Sequence, residues 1–291
     1  MVRLFSDADG AVAVLNRFAL YVGFPLLILV GMVDRDFSVP TEPGFWLTIP
    51  VAAVISTVVI AASSLLSPQL RESRGPLVLT TVWGNIAYIG LPVVAAVLGE
   101  DQLGLASLAV ALHVLVSMIL GPTLLLAWSG TTGGKALLRA LGEVARQPLA
   151  WSPVVGLLLR LLPTEVLEPT VAVTEPLAGT AGPVALVLIG LFLHTHRRRL
   201  RPDTAALLHV LGKLVLLPLA TLALTVPLAA IGWLTPTQSR LLLLLSAMPT
   251  AISTFALAMQ FDVAKERVAV AVVASTILGA VWLPLVVWMT G

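Results

Sequence analysis

The side chains of this chain that could do chemistry are few, and they lie inside apolar runs. TTVWGNIAYIGLPVV, from Thr80 to Val94, places an amide (Asn85), a phenol (Tyr88), Gly84, Gly90 and Pro92 in such a run. SAMPTAISTFALAMQF, at 246–261, sets Pro249 beside the hydroxyls of Thr250, Ser253 and Thr254. His113 and Lys213 are ionisable and each falls within a long apolar segment. These groups can hydrogen-bond a small solute, attract an anion or carry a proton. They do not form a catalytic set. There is no cysteine, so thiol nucleophiles and disulfides are excluded. No nucleophile–base pair or metal-ligand set stands at helical spacing in the apolar segments. SGTTGGKA fails as a phosphate loop, because Ser129 stands where glycine is needed and Ala136 follows Lys135. His194 and His196, in HTHRRRLR, read as part of a basic anchor rather than a metal site. No cofactor, no metal and no nucleic-acid partner is expected, and no enzymatic activity.

The elements that must position these groups are membrane helices. The chain is 58% hydrophobic and only 11% charged, with a mean hydropathy of +1.01, where soluble chains carry about 25% charged residues. Runs long enough to span a bilayer, about 20 residues each, recur throughout. The fold class is all-α and polytopic, with the lipid bilayer as its first partner. Nine spans are predicted, at 11–33, 44–66, 76–98, 102–128, 146–162, 170–194, 204–231, 238–260 and 267–289. The opening residues, MVRLFSDADG, are not a signal peptide, since Asp7 and Asp9 interrupt any apolar core. Of the 17 Lys and Arg, twelve fall on one side of this topology and three on the other, with Arg17 and Lys213 inside spans. By the positive-inside rule the N-terminus is cytoplasmic, the C-terminus extracytoplasmic, and the protein multi-pass in the plasma (inner) membrane.

The chain also resembles itself. Residues 84–125 have a partner at 246–287, displaced by the 162 residues that separate Pro122 from Pro284; Glu100 then meets Asp262 and Ala109 meets Ala271. Each copy is a Pro-interrupted span, an acidic turn and an Ala/Val-rich span. The copies run in opposite senses, the inverted-repeat pattern of secondary transporters. The division is 1–129 with four spans and a crossover at 80–94, a cytoplasmic linker at 130–145, and 146–291 with five spans and a crossover at 246–260. Pro92 should press on the carbonyl of Tyr88, and Pro249 on that of Leu245, breaking both helices. Freed backbone groups are tolerable at membrane depth only where they face protein or a water-filled cavity. Half-helix N-termini aimed at the midplane suit an anion.

These motifs resemble the auxin efflux carrier (PIN-like) family, a relative of the bile acid/sodium symporter superfamily. GNIAYIGLPVV carries its first crossover pattern in Asn85, Gly90 and Pro92. LNRFALYVGFPLLIL (15–29), PVALVLIGLFL (183–193), GKLVLLPL (212–219) and SAMPTAISTFALAMQF match in order along nearly the whole chain. The resemblance implies ten helices in two inverted five-helix repeats, a scaffold part that can dimerise and a transport part whose broken helices cross at the substrate site. It implies export or exchange of small carboxylates, mono- or dicarboxylates or auxin-like indole carboxylates, with Asn85 contacting the carboxylate. The family's Asn-Arg-Phe helix is its second, whereas here it comes first, leaving 4+5. That departure reads as a natural nine-helix variant or as a start lying further upstream.

Each candidate has a structural competitor. The two amide donors of Asn85 suit a carboxylate, against an interhelical hydrogen bond. Tyr88 flanks a ligand or packs. Thr250, Ser253 and Thr254 line the site or cap freed carbonyls. His113 carries a coupling proton or bonds a neighbouring helix as neutral imidazole. Lys213 draws anions inward or snorkels to the cytoplasmic face. The function expected is a carrier of small organic anions by alternating access. Competing with it are a Na⁺- or H⁺-coupled symporter and a non-transporting sensor, scaffold or truncated carrier.

Overall fold

Lipid cannot satisfy a backbone N–H or C=O, so a spanning chain must close its hydrogen bonds within each segment. The computed structural model describes residues 8–33, 41–128, 138, 142, 145–196 and 204–290, and the regular elements among these are helices. Arg3, Arg35, Lys135, Arg139, the run 197–201 and most of the linker 130–145 lie outside the described residues.

In chain order, α1 runs Ala8–Phe18, through a π-turn at Ala19–Gly23, to Phe24–Val33. α2 is Pro43–Ser63 and α3 is Pro68–Val82. α4 is a π-turn at Ile86–Gly90 followed by Leu91–Leu98, and α5 is Leu103–Trp128. α6 is Pro148–Leu159, α7 is Thr164–Gly179 and α8 is Ala181–His196. α9 runs Thr204–Leu211, through a π-turn at Gly212–Leu216, to Leu217–Ala230. α10 is Pro236–Ser246, α11 is Ile252–Gln260 and α12 is Lys265–Thr290.

Among the described residues six helices are long and apolar enough to cross a membrane: Gly10–Val33, Pro43–Ser63, Glu100–Trp128, Thr164–His196, Ala206–Ala230 and Lys265–Thr290. The chain is therefore a polytopic helical membrane protein, but nine full crossings do not read off helix lengths. The span expected at 146–162 is a helix of 12 residues, about 18 Å at 1.5 Å per residue, short of a hydrocarbon core of about 30 Å. The span expected at 170–194 is a 33-residue helical stretch from Thr164. The spans expected at 76–98 and 238–260 are each two half-helices, α3 with α4 and α10 with α11.

Prolines set much of this geometry. α2, α3, α6 and α10 each begin on a proline, where the missing N–H costs no helical bond. Ser67 caps α3 by accepting from Leu70 N at 3.2 Å, and Thr235 and Gln238 form a capping box on α10. Pro25, Pro92 and Pro218 lie deeper in their helices, and each stands two residues after a π-turn. The residue before each proline bonds five back rather than four: Phe24 to Ala19, Leu91 to Ile86, Leu217 to Gly212. The wider turn absorbs the clash between the ring and the preceding carbonyl. The turn after α11 uses positive φ at Asp262 and Ala264. A hydrogen bond from Lys265 there holds the Asp262 carboxyl below its usual range. The core centres on α10–α11, where Ala247, Met248, Thr250 and Phe255 are fully buried.

Candidate binding site at two crossed helix breaks

α3 stops at Val82 and α4 starts at Ile86; α10 stops at Ser246 and α11 starts at Ile252. The two gaps meet in one antiparallel bridge between Gly84 and Thr250. Asn85 N donates to Pro249 O at 2.7 Å, and Ala251 N donates to Trp83 O at 3.0 Å. Five more backbone groups at the breaks find side chains. Gly84 N donates to His113 Nε2 at 3.0 Å and Thr250 N to Ser275 Oγ at 3.1 Å. Val82 O accepts from Ser117 Oγ at 2.7 Å, Thr80 O from Thr250 Oγ1 at 3.2 Å and Ser246 O from Lys213 Nζ at 3.0 Å. Pairing of this kind is what lets a broken backbone survive at membrane depth.

The first break is therefore not at Pro92, as the sequence suggested. It lies at Trp83–Asn85, and Pro92 sits further along α4, exposed and accommodated by the π-turn. Pro249 does lie in its break, where a carbonyl is needed and an N–H is not. Gly90 packs the crossing, since a Cβ there would lie 2.8 Å from Leu245 Cδ2.

A cavity of about 310 Å³ opens beside the crossing. Asn85, Tyr88 and Thr276 are its polar lining residues; Leu186, Ile189, Val273 and Ile277 are among its apolar walls. A smaller void of about 40 Å³ adjoins it, lined by Asn85, Tyr88 and Ser253 together with Phe24 and Trp83. Asn85 is 7% exposed and its side chain has no hydrogen-bond partner among the described residues. The Tyr88 hydroxyl is buried and likewise unpartnered, its ring held edge-on by Phe24 at 6.5 Å. Gly182 passes close to that ring, where a Cβ would lie 3.1 Å from Tyr88 Cε1.

The other candidates divide by what their polar atoms already do. Ser253 lines the smaller void. Thr250 and Thr254 use their hydroxyls on backbone carbonyls, Thr254 on Ala251 O at 2.6 Å. His113 accepts a backbone N–H through Nε2, which requires the lone pair there, so its place is that of a cap on the first break. Lys213 is 0% exposed, so it neither snorkels nor lines either cavity. Sequence reasoning passed over Ser117, Ser275 and the fully buried His209, whose Nδ1 lies 2.8 Å from Thr80 Oγ1. Ser275 was within reach, because it stands 162 residues after His113, the offset of the internal repeat.

A bundle of apolar helices with two broken segments joined backbone to backbone beside a cavity has the build of a membrane transporter. Residues 5–133 and 134–289 match the family described as "Membrane transport protein", and the chain belongs to that family, the auxin efflux carrier family its motifs resemble. An uncharacterized transporter of Methanothermobacter thermautotrophicus is 28% identical over 286 residues, covering 93% of this chain and 86% of that protein. Membership makes this chain a transporter and not an enzyme.

Proposed function

We propose that this protein is a secondary carrier, by efflux or exchange, of small organic anions that present one carboxylate to the crossed breaks. The observation that carries this reading is the Asn85 side chain, without a hydrogen-bond partner among the described residues, lining a mostly apolar cavity of about 310 Å³ with Tyr88 beside it. A buried polar group left unpaired costs about 1–3 kcal/mol, a cost a bound ligand would remove. The volume falls within the range of small-molecule sites, roughly 300–1,000 Å³.

Charge supports a monoanion. α4 and α11 both start at the crossing, and each half-helix N-terminus carries about half a positive charge. Together they offset about one carboxylate. Among the described residues no Lys, Arg or His lines the cavity to hold a second. Monocarboxylates with an apolar or aromatic body, indole carboxylates included, fit better than dicarboxylates. In this reading the repeats 1–129 and 146–291 are inverted, and the crossed helices move in an elevator-like or rocking step. The N-terminus is cytoplasmic, the C-terminus extracytoplasmic and the membrane the plasma membrane, on the strength of the Lys/Arg asymmetry.

The test is uptake of radiolabelled indole carboxylate and of a C4 dicarboxylate into proteoliposomes. Saturable flux of the first, exceeding the second, is the expected result. Preference for the dicarboxylate would refute the monoanion reading, and no carboxylate flux at all would favour the sensor.

A further inference from the structure

Among the described residues, the best-buried basic side chain has no part in the cavity. Lys213 is one of the largest fully buried side chains. It projects from the π-turn Gly212–Leu216 of α9 to the far side of the breaks. Its Nζ donates to the carbonyl of Ser246, the last residue of α10, at 3.0 Å. It also rests on the first break: a Cβ on Gly84 would lie 2.8 Å from Nζ and 3.1 Å from Cε. One ammonium thus touches both gaps, and Gly84 is the residue that leaves it room. No carboxylate pairs with Lys213 among the described residues; the ion pair Lys265–Asp262 lies elsewhere, in the turn before α12.

Two helix ends of negative polarity lie near it all the same. α3 and α10 end at the crossing, and each half-helix C-terminus carries about half a negative charge. The two together offset one ammonium. In carriers built on broken helices, half-helix C-termini and unwound carbonyls form the site of a coupling cation.

We propose that Lys213 is a built-in cation of the crossing: its ammonium takes the position that an exchangeable Na⁺ or K⁺ would otherwise occupy between the carbonyl ends of α3 and α10. The carrier then needs no alkali cation to hold its breaks together. The transport arm of this inference rests on the carrier reading above; the stability arm does not. In this reading the charges divide, with the half-helix N-termini and Asn85 given to the anion and the C-terminal end of α10, with the first break beside it, given to Lys213.

The experiment measures thermal unfolding of the purified protein in detergent, with Na⁺, K⁺ or choline as the sole cation. Wild type should unfold at the same temperature in all three. Lys213→Ala should unfold several degrees lower and recover saturably with n-propylammonium, which replaces the atoms removed, or with Na⁺. In proteoliposomes, wild-type carboxylate flux should agree within twofold between Na⁺ and choline. A wild-type unfolding temperature that rises saturably with Na⁺ would overturn the proposal, as would an alanine variant that no cation rescues. Should Lys213→Ala fail to fold, Lys213→Met keeps the apolar stem, and native stability in that variant would also overturn it. Absence of carboxylate flux in wild type counts against the carrier reading and leaves the unfolding comparison to decide the role of Lys213.

Discussion

At the first break the N–H of Gly84 is taken by His113; at the second, that of Thr250 is taken by Ser275, the same position in the internal repeat. The backbones then exchange reciprocal bonds, Asn85 to Pro249 and Ala251 to Trp83. One residue further the likeness ends. The residue leading into α4 is Asn85, whose amide is unpartnered and lines both cavities. The residue leading into α11 is Ala251, which brings no polar side chain. Three residues on, Tyr88 keeps its hydroxyl unpartnered while Thr254 donates its own to Ala251 O. The same backbone junction thus leaves polar groups unpartnered on one side and uses them on the backbone on the other; in the proposed reading the first serves a ligand and the second the fold. Under the proposed function this asymmetry would leave one pole for one carboxylate.

That contrast is sharpened by substitutions on its two sides. The largest expected effect is on stability, from His113→Ala. It strips the Gly84 N–H of its acceptor and opens a void, so unfolding in denaturant should become easier by about 3 kcal/mol. In the carrier reading Asn85→Ala would remove hydrogen bonds to a charged ligand, each worth about 1.5–3 kcal/mol. Uptake kinetics should show at least a roughly tenfold loss of kcat/KM, with stability unchanged or slightly raised. Ser275→Ala leaves the Thr250 N–H unpaired without a large void and should cost about 1–2 kcal/mol of stability, with KM for the anion retained. Tyr88→Phe should leave the unfolding midpoint in place and weaken uptake by a factor of roughly three to ten, the worth of one hydrogen bond. The smallest effect belongs to Pro92→Ala. The break lies upstream of it and the ring faces outward, so flux and stability should both stay near wild type.

Much of this was legible in the sequence, for identifiable reasons. Apolar length announced the membrane helices, and glycine, proline and asparagine in the wrong solvent announced the broken ones. Pro249 marked its break because its carbonyl is used there. Pro92 misled because a π-turn can absorb a proline, and no local pattern says whether one will form. The first break is fixed instead by Thr250, a partner far along the chain. The repeat offset aligns His113 with Ser275 but carries Gly84 onto Ser246, four residues short of Thr250, so symmetry alone could not place the bridge. The burial of Lys213 was equally hidden. A lysine within a membrane helix can snorkel along its stem, and it is the missing side chain of Gly84, in the first break, that makes room for the ammonium inside. His209 offered no signal, since its partner Thr80 is 129 residues away.

The central claim is that the first break holds the ligand and the second holds the fold. Its most direct test is a paired measurement of anion uptake and denaturant unfolding on Asn85→Ala and Ser275→Ala. The account predicts a double dissociation: Asn85→Ala loses saturable uptake and keeps its stability, and Ser275→Ala loses stability and keeps its KM. Native uptake by Asn85→Ala, or a KM raised as much by Ser275→Ala, would contradict it.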